Sequence, residues 1–147
     1  MKQRLHFTVS IDAPRQRVWD TMFDPQSYGE WTAPFCEGSR YEGSWELGAK
    51  IRFLSPSGEG MTAEIAERLP GEFLSIRHLG EIRNGVDDTQ SLHVRAWAPA
   101  YENFRFSDRE GGGTELQVEL DTTPAYAHYM SDTYPRALHK LKALCEA

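Results

Sequence analysis

Long apolar runs are missing from this sequence. No stretch approaches the roughly 20 consecutive apolar residues that a bilayer-spanning helix needs, so membrane insertion is not expected. The N-terminus, Met1-Lys2-Gln3-Arg4, has basic residues but no apolar stretch behind them. It does not read as a signal peptide, and the expected location is cytoplasmic. Cysteine is scarce. Cys36 and Cys145 are the only two, far apart and in no C-x-x-C pair, which points to free thiols in a reducing compartment. Excess positive charge is also lacking. The chain has 16 basic and 22 acidic residues and a net charge of -6. That excludes a non-specific grip on nucleic acid or anionic lipid, both of which need basic patches.

Signatures of catalysis are absent as well. There is no G-x-S-x-G elbow, no phosphate-binding glycine loop and no H-E-x-x-H pair. Gly111-Gly112-Gly113 joins two predicted strands and precedes no helix, so it reads as a turn. No two of the five histidines (His6, His78, His93, His128, His139) have metal-site spacing on one element. Neither a metal nor a cofactor is expected.

What is present is a globular pattern, 39% hydrophobic and 26% charged. The 147 residues suit one domain with a substantial core. Residues 4–11 alternate, with Leu5, Phe7, Val9 and Ile11 on one side, as in a half-buried strand. Pro14 suits a first helical turn, and Val18, Trp19, Met22 and Phe23 give that helix one apolar face, closed at Asp24-Pro25. A second short helix is expected from Pro25 to Trp31. Strands are then expected over Cys36–Glu42, Lys50–Ser55, Glu59–Leu69 and Glu72–Leu79. Turns at Trp45-Glu46-Leu47-Gly48, Pro56-Ser57-Gly58 and Leu69-Pro70-Gly71-Glu72 separate the later ones. Gaps this short favour an antiparallel meander. Residues 80–99 read as a long loop with one helical turn, although Asn84-Gly85 is a strong turn signal.

Two further strands are expected, Tyr101–Asp108 and Thr114–Asp121. Pro124 then opens a long helix whose apolar stripe includes Met130, Tyr134, Ala137, Leu138, Leu141 and Leu144. Pro135 inside it should kink or split it. The order is one strand, helices, six more strands and a long helix. An antiparallel sheet with helices on one face is α+β.

Several stretches in this order resemble a known family. Ile11-Asp12-Ala13-Pro14 through Val18-Trp19 is similar to the opening of the START-like (Bet v 1-like, SRPBCC) helix-grip proteins. Trp45-Glu46-Leu47-Gly48, Glu67–Leu74, Tyr101-Glu102-Asn103-Phe104, Gly112–Leu116 and Ala137–Lys142 resemble the branch named for the activator of Hsp90 ATPase homologue 1. The resemblance runs along the whole chain. It implies a single START-like domain over residues 1–147, with a seven-stranded curved antiparallel sheet, two short N-terminal helices and a long C-terminal helix. It also implies a cavity between sheet and helix, suited to an apolar or amphipathic small molecule. That family often carries a tryptophan where Tyr134 stands. Tyrosine keeps an aromatic wall there and adds a hydroxyl that needs a partner when buried.

Phe53, Met61, Ile76, His78, Phe104, Met130 and Tyr134 are the candidate ligand-binding residues. Each serves equally well in plain core packing, since methionine and aromatics fill cores as readily as they line adaptable pockets. His78 continues the face of Leu74 and Ile76; it reads either as a surface or hydrogen-bonded histidine at a strand end, or as a group projecting into a cavity. Trp19 is expected to pack the first helix on the core. Trp31 and Trp45 fall beside the expected cavity entrance, with packing the simpler reading. Arg77, Arg95 and Arg105 are expected on the solvated face, and Asp87-Asp88 as loop solvation. The expected function is binding of an apolar or amphipathic small molecule. The alternatives are a cofactor-independent cyclase- or hydrolase-like enzyme using His78 or Tyr134, an Hsp90-type chaperone partner, and a dimerising regulatory domain; a homodimer fits any of them. Fold alone does not choose among these.

Overall fold

In the computed structural model, which describes residues 2–147, the alternating N-terminal segment forms β1 (Gln3–Ile11). It leads into α1 (Arg15–Phe23), which buries Val18, Trp19, Met22 and Phe23, the apolar face expected from their spacing. Asp24 ends α1 and caps α2 (Pro25–Trp31): its carboxylate accepts from the backbone N–H groups of Gln26 and Ser27, two of the donors a helix start leaves unpaired.

The chain then runs through β2 (Arg40–Gly43), β3 (Lys50–Leu54), β4 (Gly60–Leu69), β5 (Phe73–Arg83) and β6 (Val86–Asp88). A single helical turn, α3 (Leu92–Arg95), precedes β7 (Ala100–Asp108) and β8 (Thr114–Thr122), and the chain ends in α4 (Pro124–Glu146). The sheet is antiparallel throughout, in the order β1-β8-β7-β5-β4-β3-β2, and β6 pairs only with β5. This is the expected α+β helix-grip architecture, with one more strand than the seven expected.

The extra strand comes from residues 80–99, which are not a long loop. β5 continues to Arg83, turns at Asn84-Gly85 with φ of 52° and 76°, and returns as β6. Asn and Gly tolerate such left-handed angles, and the turn signal outweighed the polar Asp87-Asp88 that argued for a loop. Those two residues are not mere solvation either. Asp87 forms an ion pair with Arg52, and Asp88 accepts from the N–H groups of Gln90 and Ser91. The expected helical turn is α3.

β2 is shorter than expected. Residues 32–39 form turns, with Phe35 and Cys36 N–H bonded to the Thr32 carbonyl and Ser39 N–H to that of Cys36. Local turn bonds won over strand pairing where Pro34 and a left-handed Gly38 interrupt the chain. Pro135 does not split α4, which continues through it as one element with the ring on the exposed side. The carbonyl left without a helical partner belongs to Ser131, which is exposed and so open to solvent.

α4 packs on β1, α1 and α2. Tyr134, Ala137, Leu138, Leu141 and Cys145 are buried in one core with Val18, Met22, Leu74, Ile76, Leu116 and Val118. Arg17 fixes the far end by donating to the carbonyls of Cys145 and Ala147, acceptors that a helix end leaves free. The two cysteines are free, Cys145 buried and Cys36 exposed. Among the described residues, no helix is long and apolar enough to cross a membrane.

Candidate functional site

The core does not fill the whole space between sheet and helix. Toward the N-terminal half of α4 it opens into a cavity of about 680 Å³, bounded by α2, β3, β4, β5, β7 and α4. The volume lies within the range usual for small-molecule sites. Exposed Lys2, Arg40, Arg83 and Tyr126 are among its lining residues, so this end is the mouth.

The wall is rich in aromatic rings. Phe23 meets Trp45 at 4.5 Å between ring centres, Trp45 meets Phe53 at 5.7 Å, and Phe53 meets the His78 ring at 5.6 Å. Tyr28 lies 6.1 Å from Phe53 and 5.2 Å from Tyr41. Two polar tips are tied back: Trp31 Nε1 donates to the Met22 carbonyl and the Tyr41 hydroxyl to that of Phe23. Trp45 Nε1 is buried without a partner.

A polar chain crosses this wall. His78 on β5 and Glu102 on β7 are diagonal cross-strand neighbours, because Glu102 stands opposite Ile76 and His78 stands opposite Ala100. Long side chains bridge such diagonals. His78 Nε2 lies 2.9 Å from Glu102 Oε1. From α4, the buried Tyr134 hydroxyl donates to Glu102 Oε2, while its ring stacks on Phe7 at 4.9 Å. His78 Nδ1 is buried and unpartnered. With the proton on Nε2, the ring donates to the carboxylate and leaves only a bare acceptor.

Glu102 therefore stands as a carboxylate with a donor on each oxygen. Its charge is felt by its neighbours. Burial first, then the Glu102 charge, holds the Tyr28 hydroxyl far above the usual phenol value, and the same two causes raise Tyr134, with the hydrogen bond to Glu102 adding to them. Both stay protonated, able to donate. The arrangement can hold an apolar body and offer it one anionic, hydrogen-bonding patch.

All seven candidate residues, Phe53, Met61, Ile76, His78, Phe104, Met130 and Tyr134, line this one cavity. His78 is not at a strand end, since β5 runs on to Arg83. Trp31 and Trp45 both pack in the aromatic cluster and line the cavity; Trp19 is buried in the core, as expected. Arg95 and Arg105 are exposed, and Arg77 lies on the outer face, donating to the Tyr101 hydroxyl and paired with Glu64. Sequence reasoning missed Glu102 and Tyr28. Glu102 was within reach: it shares the alternation of Phe104 and Phe106, which places it on the inner face. Tyr28 carried no such signal on its seven-residue helix.

The sequence model described as "Activator of Hsp90 ATPase homolog 1-like protein" matches residues 12–146. The chain belongs to that family. No curated protein matches it. Among solved structures, protein MLL2253 from Mesorhizobium loti superposes with a TM-score of 0.71 at 16% identity, over 97% of this chain and 96% of that one. The Aha1 dimer from Colwellia psychrerythraea gives 0.72 at 16% identity, over 98% and 96%. DynU16, a protein of the dynemicin biosynthetic locus, gives 0.71 at 17% identity, over 98% of this chain and 47% of that one. At these identities the likeness establishes the helix-grip fold of the family and nothing finer.

Proposed function

We propose that this protein binds an apolar or amphipathic small molecule between its sheet and α4. The observation that carries the reading is the 680 Å³ cavity itself, walled by aromatic and aliphatic side chains and open at one end. A core that only held the fold together would close over such a space, because protein interiors pack to crystal-like density. Phe53, Met61, Ile76, His78, Phe104, Met130 and Tyr134 are the proposed contacts. The test is a thermal-shift screen against aromatic, isoprenoid, sterol and fatty-acid classes, repeated with Met61→Trp and Met130→Trp. A ligand at a hundredfold excess over Kd stabilises by about 2.7 kcal/mol. The expected result is a rise of several degrees for one class, lost in a folded tryptophan variant. A flat screen would count against the reading.

A second reading is favoured by one observation, the Tyr134–Glu102–His78 chain in an apolar wall. A base oriented by one group and held in place by a third is the arrangement that cofactor-independent proton transfer uses. Under this reading a bound carbonyl compound exchanges its α-hydrogen for solvent deuterium faster than in buffer, and His78→Phe abolishes the difference. Exchange at the buffer rate would remove this reading and leave the first intact.

A further inference from the structure

Among the described residues, the carboxylates that face a basic side chain and are themselves least exposed are Asp121 (14%), Glu102 (17%) and Glu81 (19%). Asp121 is matched by Arg4 at 2.9 Å and Glu81 by Arg83 at 3.0 Å. Glu102 has only His78 and the Tyr134 hydroxyl as partners, and no arginine or lysine pairs with it. The cations that line the cavity sit at its mouth and are engaged elsewhere. Lys2 donates to the Pro99 carbonyl, Arg40 to the Ser55 carbonyl, and Arg83 pairs with Glu81. The wall thus holds a carboxylate without a permanent counter-charge, set among aromatic and aliphatic side chains and a few polar ones, Thr32 and Thr122 among them. A buried charge left without a counter-charge is costly, and a ligand that brings one recovers part of that cost. The nearby rings of Phe53 and Tyr28 present faces that attract cations as well.

We propose that Glu102 is the head-group subsite of this cavity, and that the ligand is an apolar, aromatic-sized molecule carrying a protonated amine. The inference rests on the small-molecule reading above and names the ligand's chemistry. It also says what the cavity rejects: a carboxylate head, as on a fatty acid, would face Glu102 at close range with no cation between them. Tyr134 and His78 then act as positioning residues that hold the carboxylate toward the ligand.

The test is equilibrium titration of the full chain, at neutral pH, with three probes sharing one body: naphthylmethylamine, naphthalenemethanol and naphthoate. The expected order is amine, alcohol, carboxylate, with about tenfold between successive members, as a charge-assisted contact in a dry site supports. Glu102→Gln keeps the size of the side chain and removes its charge. It should bring amine and alcohol to equal affinity, with circular dichroism checking the fold. Alcohol or carboxylate binding as tightly as the amine in the unaltered protein would overturn the proposal, whatever the variant does. An amine preference that survives Glu102→Gln would also overturn it. Either result would leave the cavity reading standing, whereas failure of all three probes to bind would overturn both.

Discussion

Tyr134→Phe removes one oxygen and almost nothing else. The ring keeps its stack on Phe7 at 4.9 Å and its edge contact with Phe35 at 5.1 Å, so the loss isolates the hydrogen bond to Glu102. Hydrogen bonds to charged groups contribute about 1.5–3 kcal/mol. Glu102 keeps the His78 donor and is 17% exposed to the cavity, which puts the expected loss near the lower half, about 2 kcal/mol. For a chain of this length that is a fall in Tm of roughly 5 °C. In urea it is a midpoint shift of about 1 M at an m-value near 2 kcal/mol/M. Glu102→Met should cost more, about 3–4 kcal/mol, because it strands two buried donors at once. The triple variant Tyr134→Phe, Glu102→Met, His78→Leu removes every member of the chain and should cost less than half the sum of the three single losses, since nothing polar is left unpaired. Urea melts followed by tryptophan fluorescence and far-UV circular dichroism measure all of these. A Tyr134→Phe variant within about 0.5 kcal/mol of the parent, or a triple loss equal to the sum, would refute the reasoning that these groups act as one satisfied network.

Other consequences are as direct. Tyr28 and Tyr134 titrate above the free phenol value of about 10, so their contribution to stability is full below that pH and is lost as pH rises through the folded values. Denaturation midpoints should fall above pH 10, less steeply in Tyr134→Phe. Asp121 behaves in the opposite sense. Burial opposes its ionisation, but the hydrogen bond and charge of Arg4 and the Tyr101 N–H outweigh that and lower its value. Its stabilisation is present above about pH 4 and lost as pH falls through the lowered value, so Asp121→Asn should flatten the acid limb of the stability curve. Gly60→Ala should destabilise by about 3 kcal/mol, because an added Cβ would collide with the Phe53 carbonyl oxygen across the β3–β4 pair; an unchanged urea midpoint would contradict that.

The strand and helix order was legible because it rests on local periodicity. β1 alternates, α1 repeats its apolar residues at helical spacing, and β4, β7 and β8 are bounded by glycine and proline turns within two residues of where the sequence places them. Where local signals conflicted, the reading failed: Asn84-Gly85 against Asp87-Asp88, and the alternation of Cys36–Glu42 against Pro34 and Gly38. The seven candidate residues came from face assignment, which a period of two or 3.6 fixes for each element separately. What one element cannot contain is the partner across the fold. Glu102 looks like one more polar residue in Tyr101-Glu102-Asn103-Phe104 until the β5–β7 register sets it diagonal to His78 and α4 lowers Tyr134 onto it. The open volume is a property of the same kind. Side chains on six elements fill or fail to fill the space between them according to how far those elements stand apart, and that distance is decided by packing of the rest of the core rather than by any residue of the wall.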